Sequence, residues 1–303
     1  MSNIYIALNG GLGNQLYIAA TGICLSEILN QEIYFDTHAY KKYKLHKLLV
    51  HKLLPNIKYE NRNIIFRGYP LLSRQKRVLK LIKETSPSYD EKILNNLKNR
   101  FFHNDYFLKG YFQSLSYFSL IIPKLKIEID KNLRNLNEEL SCKKITDILN
   151  KTLTIHIRRK DKLSEVNKSI YGFINKEGFK KIIYSISDKY DFQYLLILGD
   201  DQSFNIEFKK FLLSDTKIKY KIITSEFLSN KISPFNDFFY MINSKGLILN
   251  NSSFSLWSGY LSNSKNIFYP SLLFPIPKHQ SIKDLNSEDL IMPHWVSYKN
   301  QYL

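Results

Sequence analysis

Cysteine is nearly absent: Cys24 and Cys142 are the only two in 303 residues. They stand far apart and have no partners at metal-ligand spacing, which argues against a disulfide framework or a zinc site and leaves both as packing residues. Long apolar runs are missing too. No stretch approaches the roughly 18 residues of a membrane span, and Ile4-Tyr5-Ile6-Ala7-Leu8 is too short for a signal-peptide core, so a cytoplasmic protein is expected. Acidic residues are scarce beside basic ones, 27 Asp and Glu against 44 Lys and Arg, a formal charge of +17. The excess lies early, with seventeen Lys and Arg but five Asp and Glu between Lys41 and Lys109. Such a surface attracts nucleic acid, anionic lipid headgroups or a nucleotide-linked substrate without choosing among them. The basic stretch from Arg74 to Lys83 reads first as a solvated helix with one buried face. Its second reading is a peripheral contact with the inner face of a membrane.

With 44% hydrophobic residues, the chain is long enough for about two domains. From about residue 152 onward, apolar runs alternate with helical patterns. Strands are expected at Leu153–Ile157, Tyr194–Leu198, Tyr220–Ile223, Leu247–Leu249 and Asn266–Tyr269. Helices are expected near 176–189, 203–213, 235–244 and 254–263, a rhythm that implies a parallel sheet with right-handed crossovers. Pro234 suits a helix start. The opening repeats the theme: strand Ile4–Leu8, a glycine loop, a helix from about Asn14 to Leu29, then strand Ile33–Phe35. The fold class is therefore α/β with two facing Rossmann-like domains, 1–150 and 151–303. Residues 37–150 are mostly helical in tendency, and an amphipathic stretch of Leu133, Leu136, Leu140, Ile145, Ile148 and Leu149 leads into the second domain.

Four constellations carry candidate chemistry. In the first, Gly10, Gly11 and Gly13 stand between a strand and a helix, followed by Asn14 and Gln15. Glycines there let backbone approach a ligand and aim N–H groups at anionic oxygens. As a dinucleotide fingerprint the run fails at Leu16, although Asp36 ends the next strand as a ribose-binding acid would. A plain tight turn needs fewer glycines than this. In the second, strand alternation points His156 and Arg158 together, toward a ligand, and turns Arg159 away into a structural ion pair with a residue such as Asp161. Two guanidinium forks suit a diphosphate better than lysines would.

In the third, Asp200 and Asp201 follow a strand. Paired aspartates could hold a divalent ion, or one could accept the N1–H and N2–H of a guanine. The base-reading role is favoured, with a helix N-cap an equal reading for Asp201. In the fourth, Asn251, Ser252 and Ser253 join a buried strand to a helix start and offer hydroxyls and free N–H groups to a phosphate. Simple capping by Ser252 is the plainer alternative. Phe254, Leu256 and Trp257 read as packing residues.

Together these segments resemble the alpha-1,2-fucosyltransferases of bacterial polysaccharide synthesis, glycosyltransferase family 11. Four motifs match in order: Gly10-Gly11-Leu12-Gly13-Asn14-Gln15, Gly110-Tyr111-Phe112-Gln113-Ser114, His156-Ile157-Arg158-Arg159-Lys160-Asp161, and Asn251-Ser252-Ser253-Phe254-Ser255-Leu256-Trp257. The third is shared with alpha-1,6-fucosyltransferases and protein O-fucosyltransferases, so alone it marks donor chemistry rather than linkage. The chain departs from the family pattern at Lys160, at Leu198-Gly199 and at Leu256.

The resemblance implies an inverting, GDP-fucose-dependent enzyme of GT-B architecture that needs no metal or other cofactor, with 1–150 as the acceptor-side domain and 151–303 as the GDP-sugar-binding domain. Donor contacts would come from Gly10, Gly11, Gly13, Asn14, Gln15, His156, Arg158, Asp200, Asn251, Ser252 and Ser253. Arg158 would stabilise the leaving GDP, and Asp161 and Glu165 are the nearby carboxylates for a general base. The acceptor implied is a galactose-terminated glycan, including a lipid-linked one. Rival readings are a transferase of other linkage or another GDP-sugar such as GDP-mannose, a silent sugar-nucleotide-binding module, and an RNA-binding protein using the aromatic stretch from Phe101 to Phe107.

Overall fold

The computed structural model describes residues 2–42, 45–61, 79–101, 104–160, 174–187, 189–273 and 286–300. The chain divides into two compact units: Met1–Ile129 with Asp284–Ile291, and Asp130–Lys283 with Met292–Leu303. Each is α/β and built on its own parallel sheet, as the alternating sequence pattern implies.

The first unit begins with β1 (Ile4–Ala7), whose alternate residues are buried, and α1 (Leu12–Leu29), whose first fourteen residues are almost all buried. Then follow β2 (Ile33–Asp36), α2 (Val50–Leu53), β3 (Lys58–Glu60), β4 (Leu79–Lys83), α3 (Glu91–Lys98), β5 (Asp105–Lys109) and α4 (Ile122–Leu136). The sheet order is β3-β2-β1-β5-β4, every pair parallel. Connections run outward from β1 through β2 to β3, then resume on the opposite side. The crevice beyond the carboxyl ends of β1 and β5 is therefore the topological switch point, where open α/β sheets bind ligands. The glycine loop follows β1 and Gly110–Ser114 follows β5, so both first-unit motifs stand there.

The second unit continues with α5 (Lys143–Leu149), β6 (Thr152–Ile157), α6 (Lys176–Ser187), β7 (Tyr194–Gly199), α7 (Gln202–Leu213) and β8 (Lys221–Thr224). After these come α8 (Ser225–Leu228), α9 (Pro234–Asn243), β9 (Gly246–Ile248), α10 (Ser253–Leu261), β10 (Asn266–Pro270) and β11 (Val296–Tyr298). The order β8-β7-β6-β9-β10-β11 is the doubly wound 3-2-1-4-5-6 arrangement. Its switch point lies between β6 and β9.

All six residues of β6 are buried, so both faces are covered. Leu153, Ile155 and Ile157 join Phe179, Ile183, Phe204 and Phe208 of α6 and α7 in one core. On the opposite face, the Thr154 hydroxyl meets the Ser244 hydroxyl at 2.6 Å, at the end of α9. The second unit starts well before the expected boundary near 150 because the latter half of α4 packs on α9. There Arg134 lies 4.7 Å over the Phe239 ring, and the Asn243 amide donates to Asp130 at 3.2 Å. The predicted amphipathic stretch from Leu133 to Leu149 is accordingly spread over α4, a 3-10 turn at Glu138–Ser141, and α5.

Among the described residues of 37–150 helix outweighs strand, as expected, but β3, β4 and β5 also lie there. One sequence expectation needs correction. Of the basic segment read as a helix, 79–83 is the edge strand β4 paired with β5, and 74–78 lies outside the described residues. As edge strands of three and five residues with exposed lysines, β3 and β4 carry too little period-2 apolar pattern to announce themselves. Of the candidate RNA-binding stretch, Phe101 is exposed, Tyr106 and Phe107 are buried in β5, and Phe102 and His103 lie outside the described residues.

Gly199 ends β7 where any Cβ would stand 2.2 Å from the Ile157 carbonyl oxygen. Gly199→Ala must therefore push β6 and β7 apart. An overpacking cost of about 2–3 kcal/mol is expected, read as a lowered denaturation midpoint in urea with an unchanged slope.

Candidate functional site

The second-unit site is built on the alternation of β6. His156 points to the α9 and α10 face, where it is 7% exposed and packs 5.2 Å from the Phe254 ring. Its Nδ1 lies 3.2 Å from the Asn250 side-chain nitrogen, which also donates to the His156 carbonyl. With the amide donating, Nδ1 is the acceptor and the ring proton sits on Nε2. Two residues on, Arg158 emerges toward the same segment, and its Nη1 donates to the Ser252 hydroxyl at 3.1 Å.

Arg159 goes to the other side. Its guanidinium lies 3.9 Å over the Phe204 ring and 3.6 Å from an Asp201 carboxylate oxygen. Arg159 thus turns away from Arg158, as alternation requires, and its ion-pair partner among the described residues is Asp201. Asp161 and Glu165 lie outside the described residues.

The paired aspartates are each committed to local structure. Asp201 caps α7 by accepting the Phe204 N–H at 3.1 Å. Asp200 accepts the Arg159 N–H at 2.8 Å and the Lys160 N–H at 3.4 Å, tying the arginine loop to the end of β7.

Across the switch point, Ser252 occupies the N-cap position of α10, yet its side chain does not cap the helix. Instead, the Asn250 carboxamide oxygen accepts the Ser252 N–H at 2.9 Å, and the Ser255 hydroxyl accepts the Asn250 N–H at 3.1 Å. The first turn of α10 thus begins at Ser253 with no side-chain cap, beside buried Asn251 and the Arg158–Ser252 pair. Helix N–H groups, the partial positive helix end and a guanidinium converge there, a site for an anionic group. Trp257 is fully buried and Phe254 lies between His156 and Phe238, so both are packing residues.

In the first unit, Gly10 has φ of +77°, a left-handed turn for which glycine is suited, and its carbonyl accepts the Tyr40 hydroxyl at 2.8 Å. Gly11 is the N-cap of α1 without a side-chain cap, and buried Gly13 lies in the first turn. Asn14 accepts the Gln113 amide at 3.4 Å, joining the two first-unit motifs. Gln15 is fully buried and donates to the Gly10 and Lys47 carbonyls at 2.9 and 2.8 Å. It also accepts the Leu49 and Val50 N–H groups at 2.8 and 2.9 Å. Its polar atoms are spent inside the unit, so Gln15 fastens the glycine loop rather than presenting a group to a ligand.

Sequence reasoning missed Asn250 as the partner of His156, and missed a cavity of about 400 Å³ beyond β7 and β8. Its walls include Gly199, Asn205, Lys209, Ser225 and Asp237. Burial pushes the Asp237 carboxyl up to about 6, against the opposing effect of the Ser225 hydroxyl that donates to it at 2.9 Å. Asn205 is 4% exposed and its side-chain oxygen is buried without a hydrogen-bond partner. No spacing rule marks these residues, because the cavity gathers side chains from α7, α8 and α9.

A doubly wound sheet with an anion-binding helix start at its switch point is the construction of nucleotide-dependent enzymes, and here the class is glycosyltransferase. The chain belongs to glycosyl transferase family 11, whose family model matches residues 6–299. It is 27% identical over 311 residues to an alpha-1,2-colitosyltransferase of Escherichia coli, covering 98% of this chain and 99% of that one. It is 25% identical over 322 residues to the Escherichia coli O-antigen biosynthesis glycosyltransferase WbnK, covering 97% of this chain and all of the relative. Among solved structures, the fucosyltransferase NodZ from Bradyrhizobium is similar with 12% identity and a TM-score of 0.45, over 86% of this chain and 93% of that one.

Arg159→Ala is expected to lower stability by about 1–2 kcal/mol, through loss of a cation–π contact and a partly buried ion pair. Arg158→Ala should change it by less than about 0.5 kcal/mol. Parallel thermal and urea denaturation of the two variants measures the contrast.

Proposed function

We propose that the chain transfers L-fucose, with inversion, from GDP-fucose to the 2-hydroxyl of a galactoside in the synthesis of a surface polysaccharide. The observation that carries this reading is Arg158 paired with Ser252 at the uncapped start of α10, between β6 and β9. In the reaction the acceptor oxygen forms a bond to the sugar's anomeric carbon as the bond to the GDP oxygen breaks. The leaving diphosphate gains negative charge, and Arg158 with the N–H groups at Ser253 would stabilise it without a divalent ion. His156, held by Asn250, would support the same phosphate side. Asp161 and Glu165 remain the candidates for accepting the acceptor's proton.

The guanine is assigned to the cavity beyond β7 and β8. An ionised Asp237 would accept the base N1–H and N2–H there, beside the unpartnered Asn205 oxygen. Asp200, favoured from sequence, already accepts two backbone N–H groups and is better used to hold the arginine loop. A second reading, in which another GDP-linked deoxysugar is transferred with the same linkage, is favoured by similarity to the alpha-1,2-colitosyltransferase. Linkage analysis of products from a donor panel and a set of galactosides separates the two. Fucose in a linkage other than alpha-1,2 would refute the main proposal, and turnover of a different donor alone would establish the second.

GDP should raise the melting temperature in the presence of a chelator. Arg158→Ala should weaken GDP by roughly 30- to 150-fold, the worth of a charge-assisted pair of about 2–3 kcal/mol. An unchanged shift in that variant, or a strict requirement for manganese, would overturn the assigned role.

The base assignment has its own signature. IDP, lacking the 2-amino group, should bind roughly tenfold more weakly than GDP, and Asp237→Asn should erase that difference. Because protonation removes the acceptor pair, GDP affinity should fall as the pH drops below about 6 and stay flat above it.

A further inference from the structure

Asn250 stands between β9 and α10 and is bonded on three sides. Its backbone N–H donates to the Ser255 hydroxyl at 3.1 Å, and its carboxamide oxygen accepts the Ser252 N–H at 2.9 Å. Its carboxamide nitrogen donates to the His156 carbonyl and stands 3.2 Å from His156 Nδ1. One side chain therefore ties the end of β6 to the turn that opens α10.

The two ends of that carboxamide are not interchangeable. The Ser252 N–H can only donate and the His156 carbonyl can only accept, so the oxygen must face Ser252 and the nitrogen must face His156. A carboxamide nitrogen donates and does not accept. Nδ1 of the imidazole is then the acceptor, and the ring proton belongs on Nε2. An imidazolium would set a second N–H against the amide N–H, so the arrangement fits the singly protonated ring. Flipping the ring would turn a carbon toward the amide and forfeit the bond. The Phe254 ring, 5.2 Å away and tilted by 37°, packs against the imidazole and is itself 5.1 Å from the Phe238 ring.

We propose that Asn250 is a positioning residue: it commits His156 to the tautomer that donates from Nε2, so that an anionic oxygen at the start of α10 meets an imidazole N–H beside the Arg158 guanidinium. The commitment has a chemical consequence. With the Nδ1 lone pair engaged by the amide and a proton on Nε2, neither nitrogen can take the proton of an attacking hydroxyl. His156 is thereby a donor to the leaving side of the transfer and not its general base. That the anion is a diphosphate rests on the function proposed above, whereas the tautomer does not.

Long-range 1H–15N correlation NMR on the full chain labelled with 15N-histidine reads the tautomer directly, the His156 signals being assigned by their loss in His156→Gln. At about pH 8, above the ordinary histidine range, the wild-type ring should carry its proton on Nε2. Asn250→Asp keeps an acceptor for the Ser252 N–H but turns the donor toward Nδ1 into an acceptor, and should move the proton to Nδ1. Asn250→Ala removes both contacts and should leave a mixture of the two tautomers. If Asn250→Asp does not fold, that mixture carries the test.

GDP titrations at the same pH show whether Asn250 acts through the ring. Asn250→Asp should weaken GDP by roughly tenfold more in the wild-type background than in His156→Gln, which meets the added charge without the imidazole. A proton on Nδ1 in the wild type would overturn the assignment. So would an unchanged tautomer in the Asn250 variants, or equal losses of GDP affinity in the two backgrounds. If the proton moves as stated while GDP binds no variant and not the wild type, the donor reading falls and the control of His156 by Asn250 stands.

Discussion

The second unit depends on one geometric constraint: side chains of a strand buried on both faces must alternate. In β6 the odd positions Leu153, Ile155 and Ile157 enter the core under α6 and α7, so Arg159 emerges on that side and is absorbed by Asp201 and Phe204. The even positions Thr154 and His156 meet Ser244 and Asn250, and Arg158 emerges beside Ser252. Two adjacent arginines are therefore not redundant. One braces the sheet edge against α7, and the other is delivered to the switch point, where an anion would find it.

Partnered groups support the site at some distance from it. Asp200 and Asp201 look like a metal pair but hold different things, a loop backbone and a helix start. Ser252 looks like a helix cap but accepts from Arg158 instead, leaving the first turn of α10 without a side-chain cap. An N-cap side chain usually contributes about 1 kcal/mol, so leaving one out at a switch point is a local cost that a bound phosphate would offset. The first unit has a parallel device, because Gly11 starts α1 without a side-chain cap while Gln15 anchors the glycine loop from beneath.

The strands read from sequence in the second half recur in the structure to within a residue or two, because buried parallel strands are apolar and rich in branched side chains. Of the strands that escaped notice, β3, β4 and β11 are partly exposed sheet edges, whereas β5 is central and nearly all buried. Asp237 and Asn205 escaped because they carry no local signature, and only the packing of α7 and α9 about β7 and β8 brings them to one cavity. Asp36 and Glu84 line a first-unit cavity in the same way, from strands separated by more than forty residues.

By itself, the sequence determined the α/β class, the family, and most strands of the second unit. Periodicity and motif spacing are local properties that survive without a fold. Which carboxylate pairs with Arg159, which aspartate is already committed to backbone, and which carboxylates share a cavity were decided only in three dimensions. Hydrogen-bond satisfaction and burial are properties of neighbours, and these neighbours lie tens of residues apart along the chain.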